Sequence, residues 1–203
     1  MTKKKSPAKK PMHRCLSENE IALFMDAAIK QGSVYRNLYT FLLNTGLRVG
    51  EAGAITPADV KEDKVMICKT VVRDGSGYVI RNCTKTGEYV AALNADAIAG
   101  IRAEMARKDV CADKPIFSLS AGKLVNAHAL LHDIADICKA AGIDVFSPHA
   151  FRATFLYKKY MQKSPEWQSE FRNVAELFKE ASAPQRAEVL AYLDPGRNGG
   201  NQS

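Results

Sequence analysis

The sequence predicts a mainly α-helical fold with a small three-stranded antiparallel β-sheet, and three observations support this prediction. Apolar residues recur at helical spacing over residues 17–56 and again from residue 95 onwards. Between these stretches, residues 64–93 form short runs of β-branched side chains that are separated by glycine-containing turns. The chain has 203 residues, which is enough to bury a substantial core within one domain.

Composition and charge narrow the class of protein. Hydrophobic residues make up 46% of the chain and charged residues 25%, which is typical of soluble globular proteins. The net charge of +7 indicates a polyanionic partner such as nucleic acid. Five cysteines without a C-x-x-C pair argue against a disulfide framework and a zinc cage, and favour a reducing compartment. Because the sequence shows neither a signal peptide nor a membrane-spanning apolar run, we expect a cytoplasmic protein.

Residues 1–15 form a basic arm that we expect to be disordered in isolation. The arm contains five lysines, Arg14 and two prolines, and it has almost no apolar residues. Such an arm either lies along DNA phosphates or serves as a solubilising tail, and the sequence leaves both interpretations open. Folded structure is expected to begin at residue 16, where a capping box of Ser17 and Glu20 opens a helix that Gly32 ends.

The second helix leads to the most informative stretch of the first half. Ser33 can cap this helix, which is predicted to run to Asn44 and to end at Gly46. A short third helix follows, in which Arg48 and Glu51 are three residues apart and therefore share one face. The pair is either a surface ion pair or an anion site in which the carboxylate holds the guanidinium. This stretch alone does not decide between the two interpretations.

The β-sheet is predicted as a meander of three strands. The strands cover residues 64–73, 78–83 and 88–93, and turns at residues 74–77 and 85–87 connect them. Lys85 would then lie at the tip of the second hairpin. A lysine at such a place is most often a solvated turn residue, but its flexible ammonium can also reach into a groove.

Helices return after the sheet, over residues 95–108 and 126–141, and Gly142 should end the second of them. His128 and His132 are four residues apart within it, a spacing that can hold a metal ion. No third ligand is evident in the sequence, so we favour an ordinary helix surface and expect no metal site.

A second informative stretch opens the next helix. Ser147 can cap this helix, and Pro148 can occupy its first position. His149 then lies in the first turn, where backbone N–H groups favour an anion, and Arg152 is three residues further on the same face. Histidine and arginine together with the helix start could form half of an anion clamp, although H-x-x-R alone is common by chance.

The remainder of the chain is predicted to contain two more helices. Breaks are expected at Ser164-Pro165 and at Ala183-Pro184, and the last helix runs from Gln185 to about Leu193. This last helix carries Tyr192. Residues 195–203 read as a polar tail for which no structure is predicted.

Four features in this chain order carry a family resemblance: T-G-L-R-x-x-E after an apolar helix, a lysine in a K-T-G turn, H-x-x-R at a helix start, and a tyrosine in a late helix. Together they resemble the catalytic domain of the tyrosine recombinase, or phage-type integrase, family over residues 16–194. The resemblance implies that family's fold and a set of catalytic residues, with Glu51 as an acidic support: Arg48, Lys85, His149, Arg152 and Tyr192.

The resemblance also implies a chemistry. The tyrosine attacks a DNA phosphate and forms a 3′-phosphotyrosyl intermediate, while the two arginines hold the non-bridging oxygens as charge develops. Lys85 would protonate the departing 5′-oxygen, and His149 would assist proton transfer. No metal or nucleotide cofactor is expected. Double-stranded DNA is the expected partner, with self-assembly on paired sites and possible accessory DNA-bending proteins, but no membrane.

The sequence departs from the family pattern in two places near the nucleophile. The family usually has Leu-Gly-His, or a tryptophan, shortly before the tyrosine, whereas residues 177–182 contain neither glycine nor histidine. Either Lys179 or Trp167 could supply the missing donor, or the site is weakened. The spacing from Arg152 to Tyr192 is also longer than usual, so two other tyrosines are alternative, less favoured nucleophiles: Tyr157 and Tyr160.

The functional prediction is a site-specific recombinase in a short form, resembling the fimbrial-switch type, with no separate core-binding domain before residue 16. A DNA-binding regulator or accessory protein that has lost cleavage is the alternative, because Lys179 and Glu180 stand where a donor is expected. A topoisomerase that acts on one duplex through the same intermediate is a third possibility. The expected location is the cytoplasm, in association with the nucleoid.

Overall fold

The structure is a computed structural model that describes residues 14–82, 84, 87–107, 113–119 and 122–161. Residues 14–84 and 88–156, where described, belong to one compact unit, and Gly87 and residues 157–161 belong to a second. The helices are α1 (Glu18–Lys30), α2 (Arg36–Thr45), α3 (Val49–Ala52), α4 (Ala95–Arg107), α5 (Ala127–Ala141) and α6 (His149–Met161), with a 3-10 turn at Pro57–Asp59. The strands are β1 (Val60–Lys61), β2 (Lys64–Ile67), β3 (Thr70–Asp74), β4 (Gly77–Arg81) and β5 (Tyr89–Ala92).

The predicted helix ends are confirmed where a local motif defines them. At α1, Glu20 N–H donates to Ser17 Oγ at 3.2 Å, and Ser17 N–H donates to Glu20 Oε2 at 2.9 Å, which completes the capping box. Gly46 ends α2 with a φ of +64°, and Gly142 ends α5 with a φ of +67°. A left-handed backbone of this kind favours glycine, which explains both ends.

The prediction that Ser33 caps α2 is wrong, because α2 begins three residues later at Arg36. Ser33 Oγ accepts the Tyr35 N–H at 3.1 Å and donates to Asp133 Oδ2 on α5 at 2.7 Å. Tyr39 Oη also donates to Asp133 Oδ2, at 2.6 Å. We call Ser33, Tyr39 and Asp133 the Asp133 cluster; it ties the beginning of the α2 region to α5.

The sheet confirms the predicted fold class but corrects the strand order. The predicted first strand is interrupted at Cys68 and Lys69 and forms two strands, β2 and β3. β3 pairs with β4 as expected, but β5 pairs antiparallel with β2 instead of β4, and β1 lies on the other side of β2. The described strands on either side of Lys85, β4 and β5, therefore belong to different sheets and do not pair as the predicted second hairpin, while Lys85 itself lies outside the described residues.

Burial explains this strand order. Val65 and Ile67 alternate with exposed residues in β2, so this strand has one apolar face that packs on the core. β3 and β4 contain no fully buried residue, so burial does not require them to join the sheet of β2, and they pair with each other in a separate sheet. An ion pair of 2.6 Å between Lys69 Nζ and Asp59 Oδ2 fixes the chain at the interruption.

The core is centred on aromatic residues of α1, of α2, of α6 and of the segment just before α6. Four rings, those of Phe24, Tyr39, Phe146 and Phe151, are fully buried and lie 5.0–5.7 Å apart between centroids in each contacting pair. Each buried aromatic ring contributes roughly 1.5–3 kcal/mol through the apolar surface removed from water. This packing fixes α6 against α2, which is the arrangement on which the candidate site depends.

Two further observations concern α6 and the chain as a whole. The Leu16 N–H donates to Thr154 Oγ1 at 2.9 Å, so the segment before α1 is bonded to α6, which begins at His149, one residue after the predicted first position at Pro148. Within the part of the chain that the structure describes, every helix is too short or too polar to cross a membrane.

Candidate functional site

Arg48 and Glu51 do not form a surface ion pair, because the Glu51 side chain is only 2% exposed. Arg48 Nη1 donates to Glu51 Oε1 at 3.0 Å, and the Arg48 backbone N–H donates to Glu51 Oε2 at 3.0 Å. The Arg48 side chain remains 25% exposed. The carboxylate is therefore inside the protein, and it holds a guanidinium at the surface.

Arg152 joins this pair through the turn between α2 and α3. Its Nη1 donates to the Gly46 carbonyl oxygen at 2.7 Å, across 106 positions of sequence. Gly46 permits this approach because a Cβ at that position would lie 2.2 Å from Cδ1 of Phe155. A side chain larger than hydrogen would thus push α6 away from the turn, and with it Arg152.

Tyr89, at the beginning of β5, contributes the third donor to Glu51. Its Oη donates to Glu51 Oε2 at 2.9 Å. Burial, together with the negative charge and the hydrogen bond of Glu51, raises the pKa of Tyr89 to about 12, and the positive charges of Arg152 and Arg48 oppose the shift. Both arginines thus act electrostatically on the same phenol.

We call Gly46, Arg48, Glu51, Tyr89 and Arg152 the arginine cluster. The packing of α3 on β3 supports it, because a Cβ on Gly50 would lie 2.7 Å from both Thr70 Oγ1 and the Val71 carbonyl oxygen. Only glycine fits between Val49 and Glu51 at this approach. The backbone that carries Arg48 and Glu51 is thereby fixed to the edge of the sheet.

The cluster has the chemistry of an anion site. A guanidinium carries five N–H donors, and the bonds to Glu51 and to Gly46 each use an Nη1 group. The remaining donors can bind the oxygens of a phosphate with charge-assisted hydrogen bonds. His149 is exposed in the first turn of α6, three residues before Arg152 and on the same face.

Several predicted site residues lie outside the described residues: Lys85, Trp167, Lys179 and Tyr192. Of the alternative nucleophiles, Tyr157 lies on α6 and is 40% exposed, and Tyr160 lies on the same helix. The structure thus brings together Arg48, Glu51 and Arg152 from the predicted set.

Sequence reasoning missed Tyr89, and it treated Gly46 only as a helix end. The available signal for Tyr89 was alternation in β5, where Tyr89 and Ala91 are half-buried and Val90 and Ala92 are exposed. The alternation predicts that Tyr89 lies on the inner face of the strand. It does not identify the acceptor of the Tyr89 hydroxyl, because Glu51 is 38 positions away in sequence.

The histidine pair on α5 remains a helix surface feature. The rings of His128 and His132 meet edge to face with centroids 4.7 Å apart. Among the described residues, no group of three or more His, Cys, Asp or Glu side chains has a metal-binding arrangement.

Similar folds occur in solved structures of recombinases. The Tn1549 transposon integrase in complex with circular intermediate DNA has a TM-score of 0.65 and 18% identity, covering 91% of this chain and 68% of that one. The XerA recombinase has a TM-score of 0.55 and 23% identity, covering 78% of this chain and 54% of that one. The XerH recombinase bound to difH has a TM-score of 0.50 and 18% identity, covering 76% and 44%.

At these identities the similarity establishes the fold, which is that of the tyrosine recombinase catalytic domain as predicted. The chain spans 54–68% of the length of the Tn1549 integrase structures it matches. No curated protein matches the sequence. The sequence profile of the phage integrase family matches residues 14–165, which include the whole arginine cluster. The chain therefore belongs to the phage integrase family of tyrosine recombinases.

Proposed function

We propose that this protein cleaves and rejoins DNA strands at specific sites through a 3′-phosphotyrosyl intermediate. Tyr192 is the proposed nucleophile, and it acts with four further catalytic residues: Arg48, Lys85, His149 and Arg152. Neither a metal ion nor a nucleotide takes part. The observation that carries the proposal is the convergence of two guanidinium groups, one held by Glu51 and the other by the Gly46 carbonyl.

The two guanidinium groups match the two non-bridging oxygens of a phosphodiester better than they would match an anion with a single acceptor oxygen. A phosphodiester has two non-bridging oxygens, and these gather negative charge as the phosphorus becomes five-coordinate. Arg48 is restrained by a buried carboxylate and Arg152 by a backbone oxygen, so little reorganisation is needed when that charge develops. Preorganised donors of this kind stabilise the transition state more than the ground state.

The proposed step conserves the phosphodiester bond energy. The Tyr192 phenolic oxygen bonds to phosphorus, the bond from phosphorus to the 5′-oxygen breaks, and the phenolic proton passes to solvent water, a transfer that His149 assists. Lys85 protonates the departing 5′-oxygen. When the 5′-hydroxyl of another strand attacks the phosphotyrosine, the same steps run in reverse and the strands are exchanged.

The proposed substrate is double-stranded DNA bound by a multimer on paired sites, with accessory DNA-bending proteins as possible helpers. The net charge of +7 fits such a partner. The Tn1549 integrase and XerH structures were solved with DNA, which favours the same class of ligand here. Phosphate contacts should provide most of the affinity, so binding should weaken steeply with salt. The proposed location is the nucleoid.

The test is capture of a covalent protein–DNA adduct from a pool of short nicked duplexes of randomised sequence. A nick close to the cleavage point lets the short fragment diffuse away and traps the phosphotyrosine. We expect the unmutated protein to form an adduct that survives denaturation, and sequencing of the trapped DNA to reveal a preferred site.

Tyrosine variants then identify the nucleophile. Tyr192→Phe should abolish the adduct, whereas Tyr157→Phe and Tyr160→Phe should retain it. Persistence of the adduct in Tyr192→Phe would contradict the assignment. Specific binding without any adduct from the unmutated protein would favour the regulator, which the absence of the family's Gly-His donor at residues 177–182 supports.

A further inference from the structure

Tyr89 has no role in the reaction scheme, yet it contacts the residue on which the scheme depends. It is the first residue of β5, and its hydroxyl is the only donor to the Glu51 carboxylate among the described residues that does not come from Arg48. The Tyr89 side chain is half-buried, and its ring lies on the inner face of the strand.

We propose that Tyr89 is a positioning residue: its hydroxyl orients the Glu51 carboxylate so that Arg48 presents its free N–H donors to the scissile phosphate. The kinetic part of this proposal rests on the proposed function. The structural part does not, because it concerns the arrangement of Arg48 before DNA binds.

The division of hydrogen bonds on Glu51 supports this role. Oε1 accepts the Arg48 guanidinium at 3.0 Å, whereas Oε2 accepts the Arg48 backbone N–H at 3.0 Å and the Tyr89 hydroxyl at 2.9 Å. Without the Tyr89 hydroxyl, Oε2 would keep only one donor, the Arg48 backbone N–H, which lies three residues before Glu51 in the chain. The carboxylate could then rotate about its terminal bond, which is a soft torsion.

Burial makes the Tyr89 contact hard to replace. The Glu51 side chain is 2% exposed, so water cannot readily take the place of a missing hydroxyl. The pKa of Tyr89 is raised to about 12 by burial and by Glu51, so the phenol stays protonated and remains a donor at ordinary pH. The positive charges of Arg48 and Arg152 oppose this shift, which places Tyr89 within the field of both guanidiniums.

The kinetic experiment compares Tyr89→Phe with a matched variant elsewhere. Both are measured for single-turnover adduct formation and for equilibrium binding on the nicked duplex recovered from the randomised pool. Tyr39→Phe is the control, because it also deletes a tyrosine hydroxyl bonded to a carboxylate, at 2.6 Å from Asp133 Oδ2. Thermal unfolding of both variants establishes that each is folded.

We expect Tyr89→Phe to slow adduct formation by about 10-fold, the effect of losing one hydrogen bond to a charged group, without changing the affinity for DNA. Tyr39→Phe should lower stability and leave the rate unchanged. In the double variant Tyr89→Phe/Glu51→Gln, the rate should equal that of Glu51→Gln alone, because Tyr89 acts through Glu51. An unchanged rate in Tyr89→Phe, equal slowing in Tyr39→Phe, or additive effects in the double variant would overturn the proposal.

A second measurement needs neither DNA nor cleavage. In isotope-labelled protein, the guanidinium N–H resonances of Arg48 should be sharp while Glu51 holds the group, and Arg48→Lys identifies them by their loss. We expect Tyr89→Phe to broaden these resonances and Tyr39→Phe to leave them unchanged. If the unmutated protein forms no adduct, the proposed function fails, and this spectrum alone decides on the positioning role: unchanged Arg48 resonances in Tyr89→Phe would refute it.

Discussion

Two clusters in this domain each contain a carboxylate that accepts a hydrogen bond from a tyrosine hydroxyl. In the arginine cluster, Glu51 accepts from Tyr89 at 2.9 Å and also holds the Arg48 guanidinium. In the Asp133 cluster, Asp133 accepts from Tyr39 at 2.6 Å and from Ser33 at 2.7 Å, both of which are neutral donors.

The difference between the clusters lies in what remains available after these bonds form. A hydroxyl has a single O–H donor, so the two donors of the Asp133 cluster are used in holding α5 to the start of the α2 region. A guanidinium has five N–H donors, so the arginine cluster can bind a carboxylate and an external anion at once. The same tyrosine–carboxylate contact thus supports the fold in one place and a site in the other.

The largest expected effect comes from removing a guanidinium. Arg48→Ala and Arg152→Ala should each slow adduct formation by about 10²–10³-fold, because a preorganised donor to the transition state is lost. Gel-shift affinity for the same duplex should change little. Arg102→Ala, on the exposed face of α4, is the control and should behave like the unmutated protein. Loss of folding in Arg48→Ala would show that the cluster is structural.

The next effect concerns the glycine to which Arg152 is anchored. Gly46→Ala should lower the free energy of unfolding by about 2–4 kcal/mol, since it combines a left-handed backbone with overlap between Cβ and Phe155. Gly142→Ala is a matched control, because Gly142 also has a positive φ but has nothing within 4 Å of its Cβ position. It should lose only about 1–2 kcal/mol. Chemical denaturation measures both, and equal losses would contradict the packing argument.

A smaller effect is expected in the Asp133 cluster. Tyr39→Phe should lower the free energy of unfolding by about 1–2 kcal/mol, because a buried hydrogen bond to a charged group is lost. DNA binding should not change. Tyr78→Phe, on the exposed strand β4, should leave stability within error, and urea denaturation compares the two. A fall in DNA affinity in Tyr39→Phe would remove the distinction between the clusters.

The smallest effect concerns a third carboxylate, which lies at the surface. Arg14 lowers the pKa of Glu20 from 4.5 to about 2, with Ser17 contributing and burial opposing. Because the pKa of Glu20 is lower in the folded protein than in the unfolded chain, ionised Glu20 stabilises the fold at pH values above the unfolded pKa of 4.5. This contribution to the free energy of unfolding is lost as the pH falls from about 4.5 towards 2. Glu20→Gln should therefore be less stable by about 0.5–1 kcal/mol near neutral pH, and the difference should shrink in acid.

Chemical denaturation of Glu20→Gln and of the unmutated protein, each near neutral pH and in acid, tests the prediction. Glu18→Gln, in the same helical turn, controls for the loss of a negative charge near the helix N-terminus. A constant difference between Glu20→Gln and the unmutated protein at all pH values would contradict the role of ionised Glu20.

The sequence predicted those features that depend on neighbouring residues. The Ser17–Glu20 capping box and the left-handed glycines Gly46 and Gly142 each require only a few adjacent positions, and all three are confirmed. The spacing of Arg48 and Glu51 likewise placed them on one face. The spacing did not predict that Glu51 is buried, because its burial depends on helices and strands from other parts of the chain that pack around it.

Features that depend on residues distant in sequence were either not predicted or predicted wrongly. Strand β5 pairs with β2 because Val65 and Ile67 bury one face of β2, whereas the β-branched run of β4 is equally compatible with β5 as its neighbour in a meander. Ser33 has the right residue type for a helix cap, but Asp133, 100 positions away, accepts its hydroxyl. The intrinsic secondary-structure preferences of these residues do not specify their partners in the tertiary structure.

The bond between Leu16 and Thr154 also has a consequence for the order of folding. It joins residues 138 positions apart, and the bond from Arg152 to Gly46 joins residues 106 positions apart. Contacts this distant in sequence close large loops and form only after the intervening chain exists. A nascent chain can already form the Arg48–Glu51 pair, but it lacks the second guanidinium until α6 has left the ribosome. Synthesis of α6 is therefore the event that turns a basic polypeptide into a paired-arginine site.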